Sequence, residues 1–170
     1  MGEGETNPAM QLGKKVAEMV EHDIEQENEV LEHIRTFLPV YQHKEYRVET
    51  DFNGIKLLGF LDGISFGPIR AQEIKTGRAW SQARADSTKQ ISWYTLMLHL
   101  KLGIKPEKIP WTLTWIPTEQ DGGIVVPTGD IENFETRRTT KDCLTIGKEI
   151  IKAHKQIGEF CAREYQAIGI

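Results

Sequence analysis

The chain has 170 residues, a formal net charge of −4, a pI of about 5.8 and two cysteines, Cys143 and Cys161. Its content of 39% hydrophobic and 27% charged residues is that of a folded globular chain, not of a disordered tail. No apolar run approaches the ~20 residues that cross a bilayer, and no Cys-x-x-Cys pair offers thiolate ligands for zinc.

In chain order, Met1-Gly2-Glu3-Gly4-Glu5 is acidic and lacks an apolar core, so it does not read as a signal peptide. Residues 1–7 read as a disordered lead and 8–170 as a single domain. From Pro8 to Pro39 apolar residues such as Val16, Met19, Leu31 and Ile34 recur at helical spacing, predicting one long helix or two end to end, closed at Leu38-Pro39. Tyr46 to Thr50 reads as a strand, Asn53-Gly54 as a hairpin turn and Ile55 to Ile64 as a second strand. Gly67-Pro68 makes a further turn, and Ile69 to Lys75 is a third strand. A helix is expected from about Gln82 to Leu100. Strands follow at Trp111 to Ile116 and Gly123 to Val126, around the turn Asp121-Gly122-Gly123. Trp111 and Trp115 share a strand face and read as core. From about Asp130 a long helix is expected, with Cys143, Ile146, Ile150, Ala153, Ile157 and Phe160 as its apolar stripe. Gly147 and Gly158 count against that helix. The order α-β-β-β-α-β-β-α argues for an α/β fold, a mixed sheet covered by helices. Unpaired thiols fit a reducing, intracellular setting.

In Gln72-Glu73-Ile74-Lys75-Thr76, residues two apart share a strand face, so Glu73 and Lys75 sit side by side while Ile74 faces the other way. A solvated ion pair on an open sheet face is the plain explanation. Asp62 changes that reading. It lies late in Leu57-Leu58-Gly59-Phe60-Leu61-Asp62-Gly63-Ile64, an apolar stretch, and pairing through the Gly67-Pro68 turn puts it opposite Glu73. Two adjacent carboxylates repel unless a proton or cation intervenes. A hard divalent cation such as magnesium, held through oxygen, meets that need, with Lys75 beside it for work on a phosphodiester.

Gly59-Phe60-Leu61-Asp62 followed by Glu73-Ile74-Lys75 resembles the signature of the PD-(D/E)XK nuclease superfamily. Thr76-Gly77 after the lysine, and Gln90-Ile91-Ser92-Trp93-Tyr94 as a Q-x-x-x-Y helix motif, are similar to its RecB-like exonuclease branch. Gly13, Val16 and Glu21 fit that branch's first-helix pattern, but Ala17 stands where a histidine is usual. The likeness runs from about Gly13 to Trp115. It implies a restriction-endonuclease-like core and metal-dependent hydrolysis of DNA. Asp62, Glu73 and the Ile74 carbonyl would bind Mg2+, with Mn2+ able to substitute, and Glu21 is the candidate extra ligand. Lys75 would orient the attacking water, while Gln90 and Tyr94 would brace the site or touch the backbone. No iron–sulfur cluster is expected, since that branch uses four cysteines for one. Exonuclease action is favoured by this analogy; a catalytically weak or inactive nuclease-fold DNA-binding or assembly module is the alternative. Phage recombination, DNA repair and CRISPR adaptation use such domains, which implies the cytoplasm of a prokaryote or of a virus-infected cell.

Arg78, Trp80, Arg84, Lys89, Lys14 and Lys15 are candidate DNA contacts, though the acidic pI argues mildly against nucleic acid. Trp80 has the plainer alternative of packing on the following helix. Glu49 is a candidate supporting residue. The five histidines show no ligand spacing, and no phosphate-binding glycine loop is present.

Overall fold

The computed structural model describes residues 7–77 and 79–167, with side chains as far as Phe160. Residues 1–6 of the expected lead lie outside the described residues. Helices α1 (Pro8–His22) and α2 (Glu29–Phe37) take up the first periodic stretch. Asn7 caps α1 by accepting from the Ala9 N–H at 2.9 Å, and Pro8 occupies its first turn. The stretch breaks without a glycine. Asp23 adopts left-handed backbone (φ 52), and Arg35 locks the corner by reaching both Asp23 (2.8 Å) and Glu32 (2.5 Å). Asn28 then caps α2 through the Leu31 N–H at 3.0 Å.

Strands β1 (His43–Phe52), β2 (Ile55–Phe66) and β3 (Ile69–Gly77) form the antiparallel meander foreseen from the turns. Asn53 and Gly54 both have positive φ (54 and 81), which suits a tight turn joining right-twisted strands. A crossover through α3 (Gln82–Ser87) and α4 (Lys89–Leu102) brings β4 (Trp111–Asp121) parallel to β3, from Ala71↔Trp111 to Gly77↔Pro117. On its far edge β4 pairs antiparallel with β5 (Ile124–Pro127) and β6 (Glu132–Thr136). The result is an open, mixed six-stranded sheet. Helices α4 and α5 (Thr140–Ala167) cover one face over Leu61, Ile64, Ala71, Ile91, Trp111, Cys143, Ile146 and Ile150. On the other face α1 and α2 pack Leu12, Val16, Met19 and Ile34 against Ile116 and Ile74. Among the described residues no helix is long and apolar enough to cross a membrane.

Three expectations are corrected. The helix foreseen from Gln82 splits at Thr88, which is extended and serves as the cap of α4. Arg138 explains the break: its buried guanidinium donates to the Ala85 and Thr88 carbonyls at 2.8 and 3.1 Å, and to the Ser92 and Thr136 hydroxyls. The long helix foreseen from Asp130 begins only at Thr140, because β6 intervenes. Finally, the stripe of α5 meets the core at Cys143, Ile146 and Ile150, whereas Ile157 and Phe160 are exposed. Gly147 belongs in this helix for a packing reason: a Cβ there would lie 2.8 Å from the Phe52 ring. Trp111 is fully buried and donates to Thr95, and Trp115 is partly buried and donates to the Gly77 carbonyl at 3.0 Å.

Candidate active site

Strands β2 and β3 stay paired only from Phe66↔Ile69 to Gly63↔Gln72. Beyond that point they part, and Asp62 stands in the fork. Its Oδ2 accepts the Ile74 N–H at 2.5 Å, replacing the carbonyl that a continuing β2 would have supplied. Opposite it, Glu73 is only 2% exposed. Its Oε1 pairs with Lys75 Nζ at 2.6 Å, while Oε2 is buried with no hydrogen-bond partner among the described residues. Burial, then the charge of Asp62, push the Glu73 carboxyl up to about 7, against the pull of Lys75. Burial also raises Asp62, opposed by the Ile74 N–H and Lys75. Glu73 and Lys75 are therefore not the solvated pair of an open sheet face.

Helix α4 supplies the next layer. Lys75 Nζ donates to Gln90 Oε1 at 2.8 Å, and the Gln90 amide approaches the Tyr94 hydroxyl at 3.4 Å. The Tyr94 ring lies flat on β2 because residue 59 is glycine: a Cβ there would fall 2.7 Å from Tyr94 Cε1. It also stacks on Trp111, with centroids 6.1 Å apart. Asp62, Glu73, Lys75, Gln90 and Tyr94, drawn from two strands and a helix, are thus one connected cluster.

A cavity of about 230 Å³ opens on the α1 side, walled by Ala17, Glu21, Glu45, Asp62, Ile74 and Lys75. Ala17 leaves room in that wall where a larger side chain would fill it. Glu21 is exposed at the rim, 3.7 Å from His22. Glu45 was not singled out from the sequence. The Asn53-Gly54 hairpin register sets it opposite Asp62, between Lys44↔Gly63 and Tyr46↔Leu61, and that register was the available signal. Burial, Asp62 and Glu21 together raise its carboxyl. Glu49, by contrast, is exposed and paired with Arg47 at 2.8 Å.

Two neighbouring carboxylates, one with an orphaned buried oxygen, have the donor chemistry that a hard divalent cation takes. Among the described residues, no three carboxylate, imidazole or thiol groups already converge on one point. Lys75 holds one oxygen of Glu73 in their place.

The expected DNA contacts scatter. Beyond the end of β3, the exposed Arg84 lies over the Trp80 ring at 4.0 Å and donates to the Ala79 carbonyl at 2.8 Å. Trp80 is partly buried against the core. Lys89 points to α5, bound to Glu149 at 2.9 Å, and does not line the cavity. Lys14 is exposed on α1, and Lys15 lines a groove against β5 instead. Arg78 lies outside the described residues.

No family model matches the chain, and no curated protein matches its sequence. Among solved structures, a protein from Eubacterium rectale described as a "putative exonuclease" is similar in fold, at 14% identity and a TM-score of 0.55, covering 89% of this chain and 68% of its own. The structure of SSO0001 is 18% identical with a TM-score of 0.37, over 62% of this chain and 46% of its own, too loose a likeness to carry argument. The chain therefore shares its α/β architecture, an open mixed sheet between helices, with a nuclease-like neighbour.

Proposed function

We propose that this chain is a nuclease that hydrolyses DNA phosphodiester bonds with Mg2+ or Mn2+, and that it acts as an exonuclease. The observation that carries the reading is the buried, unpartnered oxygen of Glu73, set between Asp62 and Lys75 where β2 and β3 fork. A purely structural ion pair has no use for a buried oxygen left empty. The resemblance in the motif residues and the fold of the Eubacterium rectale neighbour point the same way.

In this reading Asp62, Glu73 and the Ile74 carbonyl would hold the cation. It supplies charge neutralisation on the phosphate and a more acidic water. Lys75 leaves Glu73 and turns its ammonium to the attacking water and the phosphate oxygen. Gln90 keeps hold of that ammonium through its carbonyl oxygen, so the amine swings on a fixed pivot. Tyr94, locked over Gly59, keeps Gln90 in place. Phosphate enters from the α1 side through the cavity bounded by Ala17 and Glu21.

The test is incubation with linear and circular substrates, single- and double-stranded, in DNA and RNA, with Mg2+ or Mn2+. Lys75→Ala should reduce the rate by ~10²–10⁴-fold, the range for a positioned proton-handling group. Cleavage that survives this substitution refutes the mechanism. Loss of linear but not circular DNA establishes exonuclease action, and cutting of circles refutes it.

A further inference from the structure

We propose that the outer edge of β1 is the track that leads a single-stranded end of the substrate into the cavity. The inference rests on the nuclease reading above and adds to it a path and a preference for unpaired strands.

Three hollows run into one another along this edge. The cavity beside Asp62 shares Glu21 and Glu45 with an open groove of about 680 Å³ along residues 41–47. That groove shares Tyr41 and Gln42 with a third hollow of about 390 Å³, which reaches Arg70 beside the Gly67-Pro68 turn. A strand leaving the cavity between Glu21 and Glu45 therefore has a continuous bed across β1.

Charge changes sign along the bed. Glu21 and Glu45 stand at its inner end, by the cavity. Lys44 and Arg70 lie further out, and among the described residues neither pairs with a carboxylate. Arg70 donates to the Val40 carbonyl at 3.2 Å and lies over the Tyr41 ring at 5.0 Å. In a chain of net charge −4, unpaired cations along one groove suit a polyanion.

The same edge carries open aromatic surface. His43, Tyr46 and Phe66 form a cluster with ring centroids between 5.3 and 6.0 Å apart. His43 is exposed and Phe66 is 39% exposed, whereas a cluster serving the core alone would be covered. Aromatic faces beside a cationic groove hold unpaired bases by stacking while the cations follow the backbone. A duplex keeps its bases stacked on one another and cannot offer them. An added β-strand suits this edge less well, because Glu45 has positive φ (46) and interrupts the line of the strand.

The experiment reads binding with a chelator present, so that neither cleavage nor a metal contributes. A fluorescent deoxythymidine oligomer of ~16 nucleotides, the upper site size of a single-strand module, is followed by anisotropy beside a duplex of equal length. Wild type should hold the single strand at least ~5-fold more tightly, the worth of one stacked base. Phe66→Leu keeps an apolar side chain but loses the ring, and should weaken that binding ~5- to 150-fold. Lys44→Gln and Arg70→Gln should each lower the slope of log affinity against log salt by ~0.7. Lys152→Gln, on the exposed part of α5, should change neither quantity. Lys44→Gln decides the matter if Phe66→Leu folds poorly. No single-strand binding by wild type, equal affinity for duplex, or wild-type affinity and salt slope in the three edge variants overturns the inference. Metal-dependent cleavage that persists alongside any of these leaves the nuclease reading standing. Single-strand binding that depends on these residues, with no cleavage in Mg2+ or Mn2+, overturns that reading and keeps the edge as a binding surface.

Discussion

The carboxyl of Glu73 should make the metal-free protein less stable as the pH rises, and Glu73→Gln should remove its part of that slope. Glu73 is raised from its ordinary 4.5 to about 7, first by burial and then by Asp62. Between those two values the folded chain keeps a proton that the unfolded chain has released. The native state thus binds more protons than the unfolded one, and stability falls with increasing pH. The stabilising contribution is fully present below about 4.5 and lost above about 7. A rise of about 2.5 pH units, taken between those two values, at ~1.36 kcal/mol each amounts to about 3 kcal/mol. That is a large share of the ~5–15 kcal/mol that holds a domain folded. Asp62, also raised by burial, adds to the slope with the same sign. Urea denaturation with a chelator present, across that window, reads the difference between wild type and Glu73→Gln. The variant should gain on wild type as pH increases. Parallel stability profiles for the two proteins would refute the reasoning. Mn2+ should reverse the wild-type trend, since the ionised carboxylates are the form that binds it.

Two further substitutions test the scaffold around the site. Gly59→Ala puts a methyl group 2.7 Å from Tyr94 Cε1; the ring must move, at ~1–3 kcal/mol of stability, and thermal denaturation together with a fall in nuclease rate would show it. Arg138→Met strips the partners from the Ala85 and Thr88 carbonyls and from Ser92. With ~1–3 kcal/mol for each buried group left unpaired, it should be among the most damaging changes in the chain, and a midpoint in urea close to wild type would contradict the role given to this side chain.

What could be read from the sequence was whatever short-range chemistry decides. Asn53-Gly54 fixed a tight hairpin, Gly67-Pro68 fixed the next, and the second register, carried one residue past its last pair, sets Glu73 opposite Asp62. Glu45 was within reach of the first of those registers. Only its left-handed backbone shows that it is aimed into the cavity, and nothing local encodes that. Strand β6 was hidden because Glu132-Asn133-Phe134-Glu135-Thr136 is polar. It is an edge strand whose side chains join the pairing, Asn133 accepting from Thr114 and Glu135 from Thr112, each at 2.7 Å. The break at Thr88 was equally hidden, since the group that draws its carbonyl out of a continuous helix is Arg138, fifty residues later. The first stretch breaks at Asp23, where a residue with a Cβ takes the conformation glycine usually takes, held by Arg35 from the next helix.

The sequence left two explanations of Glu73 and Lys75, a solvated pair or part of a working site. Burial decides between them. A solvated pair keeps both carboxylate oxygens in water and contributes little either way. Here Glu73 is 2% exposed and carries an oxygen with no partner, which costs stability however good the contact with Lys75. The surroundings deepen the cost, because Asp62 faces Glu73 across the fork and, among the described residues, only Lys75 answers it. If selection acted on stability alone, an uncharged residue at position 73 would serve better. A carboxylate kept there at a loss is explained when something positive, absent from the chain itself, completes it. On that argument the ion pair would be the resting state of the proposed metal site, with Lys75 the group that gives way to a cation.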